Sequence, residues 1–249
     1  MFVSLCNLSK GWLSFVQSIG KMRIIVLILI ACLASTAAGA QKSEVRNVGT
    51  FKGVKSGEAI DVYLKKGDKE SVKVEVTGEE LSNIITEVAG TYLKIHIQNN
   101  RFFRGKSDVK VYVTYVNLDK IVASSASNVF SDGVIKAGSI EIHASSAAEI
   151  ELSLEATDVR VHASSAGDVT LEGKAHSINA EASSSGDIDA YNLQVESAEA
   201  SASSAGGIKL NVLHELDAGA SSGGSVRYRG NPLKTNTHSS SGGSVKKSN

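Results

Sequence analysis

The tripeptide Ala-Ser-Ser begins at Ala123, Ala144, Ala163, Ala182, Ala202 and Ala220, with a degenerate copy at His238-Ser239-Ser240. Successive copies lie 21, 19, 19, 20, 18 and 18 residues apart. A fixed period of this length marks a chain that stacks one small unit on the next. A turn element follows the serines, as in Ala166-Gly167-Asp168, Ser185-Gly186-Asp187 and Gly223-Gly224-Ser225. Then comes a short β-branched run, as in Val169-Thr170-Leu171 or Ile208-Lys209-Leu210. Before the serines the pattern has period two: Val159, Val161 and Ala163 alternate with Arg160 and His162. Alternation of this kind is a strand with one face inward. An inward Ala before Ser-Ser and a Gly after it suit a tight corner. One coil cannot bury enough apolar surface alone, so each needs a neighbour at ~4.8 Å. The pattern predicts an all-β fold, a right-handed parallel β-helix (β-solenoid) with coils of 18–21 residues, over positions 121–245.

Composition agrees with narrow stacked coils: the chain of 249 residues has one Pro, one Trp and 23 Gly. Its start reads as an export leader. Lys21-Met22-Arg23 precedes the apolar run Ile24 to Leu33, and small residues end in Ala38-Gly39-Ala40, an A-x-A cleavage pattern. Met22 gives that leader its usual proportions, which makes residues 1–40 an upstream extension plus signal peptide. A second reading stays open: Leu29-Ile30-Ala31-Cys32 also fits a lipobox, and only lipidation at Cys32 would bring in a membrane. Either way the protein is exported, to the periplasm, the outer-membrane surface or the extracellular space. Cys6 and Cys32 both precede Gln41, so a chain cut there has no disulfide to rest on. It would carry 23 basic against 26 acidic residues, which argues against a nucleic-acid partner.

Positions 44–120 are β-rich without the repeat. Strand candidates run over 47–54, 59–65, 71–77, 91–98 and 108–116, with a helical turn or bend at 79–85. This part forms first coils or a cap, continuous with the repeats, because solenoids need their terminal edges covered.

Several spaced motifs here carry a resemblance. They are Phe51-x-Gly53-Val54, Ile60-Asp61-Val62-Tyr63-Leu64-Lys65-x-Gly67, Val72-x-Val74-x-Val76, Leu93-x-Ile95 and Val109-x-Val111-Tyr112-Val113-Thr114, followed by the Ser-Ser-x-Gly-Asp-Ile coils. Together they resemble the exported bacterial domains called "putative autotransporter adhesin, head GIN domain". The resemblance implies a β-helical fold, an envelope location, typically in Bacteroidetes, and an adhesin-like role, with no active-site residues to carry over. Gly207 stands where other coils have Asp, and the tail is short and charged.

Three constellations stand out. His143 and His162 each precede Ala-Ser-Ser, and Glu181 holds that slot in the next coil. Stacked in register they form an outward column, a weak transition-metal candidate set against solvated face residues. Asp168, Asp187 and Glu149 share another slot, where corner carboxylates are the better account than a Ca²⁺ site. Arg101, Phe102, Phe103, Arg104 and Lys106 put two aromatics among three cations in a loop. That suits an anionic glycan, a lipid headgroup or a protein, against a plug over the solenoid end. The repeated serines lack triad partners, and no P-loop, dinucleotide fingerprint or His-Glu-x-x-His motif is present. The expectation is a non-enzymatic envelope module, without cofactor, that binds a glycan or surface protein. The alternatives are a self-assembling structural protein, a homo-oligomer growing from a last copy at 238–245 that stops without a cap, and a polysaccharide-acting enzyme.

Overall fold

The computed structural model describes residues 41–98 and 107–248. The leader with its Cys32 and Ala40 processing sites, and the Arg101–Lys106 candidate, lie outside the described residues. The fold is a β-solenoid of about 7 coils of roughly 19 residues, as the repeat predicts. Among the described residues no helix is long and apolar enough to cross a membrane.

Five long strands make the regular part: β9 (Asn128–Ser145), β10 (Glu149–Ser164), β11 (Asp168–Ala182), β12 (Asp187–Ala202) and β13 (Gly207–Ala220). Each pairs in parallel with the next, in register over most of its length. Every strand bends near its middle, so a coil has a first side (Asp168–Leu171 in β11) and a second side (Ser177–Ala182). Alternation supplies the core. Val169, Leu171, Ile178, Ala180 and Ala182 are buried from one coil, and their ladder partners are buried in the next. Inward positions beside the corner are Ala in every regular coil, at Ala144, Ala163, Ala182, Ala202 and Ala220, so the stack narrows there.

At the corners the chain turns through left-handed backbone conformations. The left-handed residues are the second Ser and the residue after it, such as Ser165 (φ 51°) with Ala166 (φ 58°) and Ser184 (φ 49°) with Ser185 (φ 62°). Two such residues in succession turn the next amide along the solenoid axis, where Ala166 N–H donates to the Ser184 carbonyl at 3.2 Å. The amide of Gly167 closes the turn on the Ser164 carbonyl at 2.9 Å. These corner bonds run backbone to backbone, so each exposed turn is tied to the next coil by its own amides. The glycine that follows is needed for closeness, since a Cβ on Gly186 would lie 2.5 Å from the Ala163 carbonyl. Ser127 and Ala148 hold this slot in the first two regular coils, and the tight corner begins at Gly167.

At the N-terminal end β2 (Gly53–Ser56) and β3 (Asp61–Lys66) form a coil, pairing in parallel with β8 (Lys120–Ala123) and β9. Beyond them β6 (Tyr92–Ile97) and β7 (Asp108–Tyr115) add parallel strands. The direction then reverses: β4 (Ser71–Thr77) is antiparallel to β7, β1 (Lys42–Arg46) to β4, and β5 (Ile84–Ala89) to β6. A 3₁₀ turn, Leu81–Asn83, links the two sides. Arg46 fastens them, donating to the carbonyls of Leu81 (2.8 Å) and Ile84 (2.5 Å) and to Thr86 Oγ1 (3.1 Å).

At the other end, β14 (Ser225–Arg229), β15 (Lys234–Ser239) and β16 (Ser244–Lys247) finish the stack. Thr235, Thr237 and Ser239 occupy the register positions of Leu216, Ala218 and Ala220. Polar residues at inward positions are how a terminal repeat remains soluble. Among the described residues no strand pairs with the outer edge of β15 or β16, so the last copy ends on an open edge.

Candidate functional site

Register decides what shares a surface, because residues remote in sequence become neighbours every strand spacing. On the first side, the outward column that passes through Thr170 carries the most chemistry. It begins at Val45 and Lys73 and continues through Tyr112, Tyr63 and Phe130. Tyr112 and Tyr63 stack at 5.2 Å between centroids and 19° between planes; Tyr63 and Phe130 stack at 5.4 Å and 26°. Lys73 Nζ lies 5.7 Å from the Tyr112 centroid and caps that end of the stack. Glu75, ion-paired with Lys73 at 2.6 Å, is held below the usual carboxylate range by that hydrogen bond. Burial, then the nearby Glu75 charge, pushes the Tyr112 phenol up.

The column then changes character. Glu151, Thr170 and Asp189 follow Phe130, and Lys209, Arg227 and Lys246 end it. Lys209 pairs with Asp189 at 2.7 Å, and the Arg229 guanidinium sits 4.0 Å from the Tyr191 centroid. One side of the solenoid thus presents aromatic, acidic and basic stretches in order. The neighbouring column holds the predicted acids in register, Glu149 beside Asp168 and Asp168 beside Asp187. Burial, then the Glu151 carboxylate, raises Glu149, and burial, then Asp187, raises Asp168.

Coil length varies along this side, between Glu151 and Ser153, Thr170 and Glu172, and Ala190 and Gln194. The register jumps between Glu151 and Ser153, where β9 spends two more residues, Asp132 and Gly133, than β10 does. Gly133 takes φ +99°, Val134 is left exposed, and Lys65 pairs with Asp132 at 3.0 Å. Beside this bulge, Phe130, Ser131, Glu151, Ser153, Thr170 and Glu172 line a cleft of about 200 Å³.

On the second side the histidine column forms as the spacing predicts: His143 partners His162, and His162 partners Glu181. The two rings stand 5.8 Å apart, tilted by 50°. Each has its own carboxylate, however. His143 Nε2 meets Glu141 Oε1 at 2.5 Å and His162 Nδ1 lies 3.5 Å from Glu181 Oε2. Glu141 is also held by Lys120 at 2.8 Å, the main cause of its lowered pKa. Among the described residues no three His, Cys, Asp or Glu side chains converge as a metal site requires.

Sequence reasoning did not single out the aromatic column. Tyr63, Tyr112 and Phe130 each alternate outward on their own strands, which was visible, but their contact depends on the order β7–β3–β9, which was not.

Comparison with known proteins agrees with this geometry. Residues 50–232 match the family described as "Putative auto-transporter adhesin, head GIN domain". The chain belongs to that family. Among solved structures, a putative adhesin from Bacteroides fragilis NCTC 9343 superposes with a TM-score of 0.75 at 21% identity, over 84% of this chain and 97% of that one. A putative adhesin from Parabacteroides distasonis ATCC 8503 gives 0.67 at 20%, over 84% and 98%. A protein from the same organism described as a putative lipid binding protein gives 0.63 at 18%, over 85% and 98%. These likenesses concern the fold. No curated protein matches the chain.

Proposed function

We propose that this family member is a non-enzymatic, exported module of the cell envelope that binds a glycan. The observation that carries the reading is the outward stack of Tyr112, Tyr63 and Phe130, on a rigid sheet and continued by polar columns. Aromatic groups with adjacent carboxylates and lysines on a flat, preformed surface bind without ordering a loop, which lowers the entropic cost of association. The family description as an adhesin supports a binding role over catalysis, and the leader at residues 21–40 supports export. A protein surface is the second reading, supported by the family description as an adhesin.

The test is a binding screen of the full chain on immobilised glycans and matrix proteins, with and without Ca²⁺. Retention on glycans that is lost when Tyr63 and Tyr112 become Ser, with the melting temperature kept, supports the proposal. Retention only on proteins selects the second reading, and retention on neither removes both.

A further inference from the structure

The aromatic stack has two ends, and they differ. At one end Lys73 covers Tyr112. At the other, the ring face of Phe130 turned away from Tyr63 looks along the column toward Glu151 and Thr170, across the cleft. Glu151 holds the next position of the column with a carboxylate in place of an aromatic ring and lines the cleft. Thr170, in the next coil, is small. The two-residue excess at Asp132-Gly133 raises a wall beside the cleft, and Ser131 Oγ on that wall accepts the Ser153 amide at 2.9 Å. Ser153 in turn donates its hydroxyl to Glu172, which aims a carboxylate at the same space.

The cleft is thus a preformed slot with one apolar flat wall and acceptors around the rest. Its volume of about 200 Å³ holds roughly half a dozen waters at ~30 Å³ each, enough for one sugar ring. A pyranose has the matching surface. Its axial C–H groups form a weakly positive patch that stacks on the negative face of an aromatic ring, and its equatorial hydroxyls donate to carboxylates. We infer that Phe130, Glu151, Thr170 and Glu172 form the subsite that takes one uncharged pyranose unit of a glycan, stacked on Phe130 as the next layer of the column. The inference rests on the glycan-binding reading above and names its ligand class and place. Anionic sugars are disfavoured, because Glu151 and Glu172 line the slot and Glu149 and Asp168 stand in the neighbouring column.

The experiment titrates the full chain calorimetrically with neutral hexasaccharides of glucose, mannose, galactose and N-acetylglucosamine, beside hexagalacturonate. Phe130→Ala removes the platform, and Thr170→Arg fills the slot without touching the stack. Tyr191→Ala, on the same side but outside the cleft, is the control. The expected result is binding of at least one neutral oligosaccharide, weakened tenfold or more by Phe130→Ala and by Thr170→Arg and unchanged by Tyr191→Ala. Should Phe130→Ala unfold, Thr170→Arg alone decides. Neutral-sugar binding that survives Thr170→Arg overturns the subsite while leaving the glycan reading in place. Binding of hexagalacturonate alone overturns the ligand class, and binding of none of the five overturns both.

Discussion

The N-terminal strands and the regular coils bury the same kind of stripe by opposite means. From β1 to β7 the inward residues are large: Ile60, Leu64, Ile84, Leu93 and Ile95 are all buried to within 1%. That region reverses strand direction and is fastened by a side chain, Arg46, reaching three acceptors. From β10 to β13 much of the inward surface is Ala, and coils approach so closely that glycines pass against backbone. A bulky core resists the loss of atoms poorly, because a cavity remains. A close-packed small-residue core resists the addition of atoms poorly, because rigid neighbours must move. The two halves are therefore opposite in what they tolerate.

Substitution can break that comparison directly. Leu93→Ala is expected to cost about 3 kcal/mol in denaturant unfolding, since a fully buried side chain leaves a cavity. A loss below about 1 kcal/mol would mean that the N-terminal core collapses onto the gap, and the contrast would fail. Gly186→Ala should cost about 2 kcal/mol, because its Cβ meets the Ala163 carbonyl at 2.5 Å. Gly49→Ala, with nothing within 4 Å, is the neutral control. Ala148 already stands at the equivalent slot two corners earlier, so Gly186 also measures how much tighter the later corners are.

Arg46→Ala should lower stability by about 1–2 kcal/mol by leaving the Leu81 and Ile84 carbonyls without their donor. Faster amide exchange confined to β1 and β5 would show that the fastening is local. The smallest effect sharpens the comparison from the surface. Glu149 is raised above the ordinary glutamate range by burial and by Glu151. A carboxyl raised in the folded chain opposes folding once ionised, so stability falls as pH rises from the unfolded pKa through the folded one. Glu149→Gln should then stabilise at neutral pH by no more than about 0.5 kcal/mol, and the gain should vanish below the ordinary glutamate range. An equal gain at both ends of the pH range would assign it to packing instead.

Legibility followed repetition. Seven copies fixed the corners, and the corners fixed the register that puts His143 beside His162 and Glu149 beside Asp168. Strands without a repeat were seen where alternation was strong, as in Ser71–Thr77, and misplaced where it was weak. β1 carries no inward stripe, and the turn expected over 79–85 is the 3₁₀ turn Leu81–Asn83, while β5 beyond it alternates weakly and depends on its partner β6. At the corner Ser165 and Ala166 take the positive φ angles, and Gly167 supplies the room that a tight corner was expected to need. Close approach between coils has no trace in a single coil's pattern. The candidate site was hidden for a related reason: Phe130 and Tyr63 are 67 positions apart and touch only because β3 lies against β9.

The uniform corner also makes the coil a unit of measure. Removing residues 168–186 joins Gly167 to Asp187, one equivalent position to another, and lays β12 on β10 in the register that β11 held. Nothing at either terminus of the stack needs to change. The aromatic stretch at Phe130 and the cationic stretch at Lys209 and Arg227 would simply draw nearer by one rung, ~4.8 Å. Coil count thus works as a gauge, setting the distance between two chemistries on one straight edge.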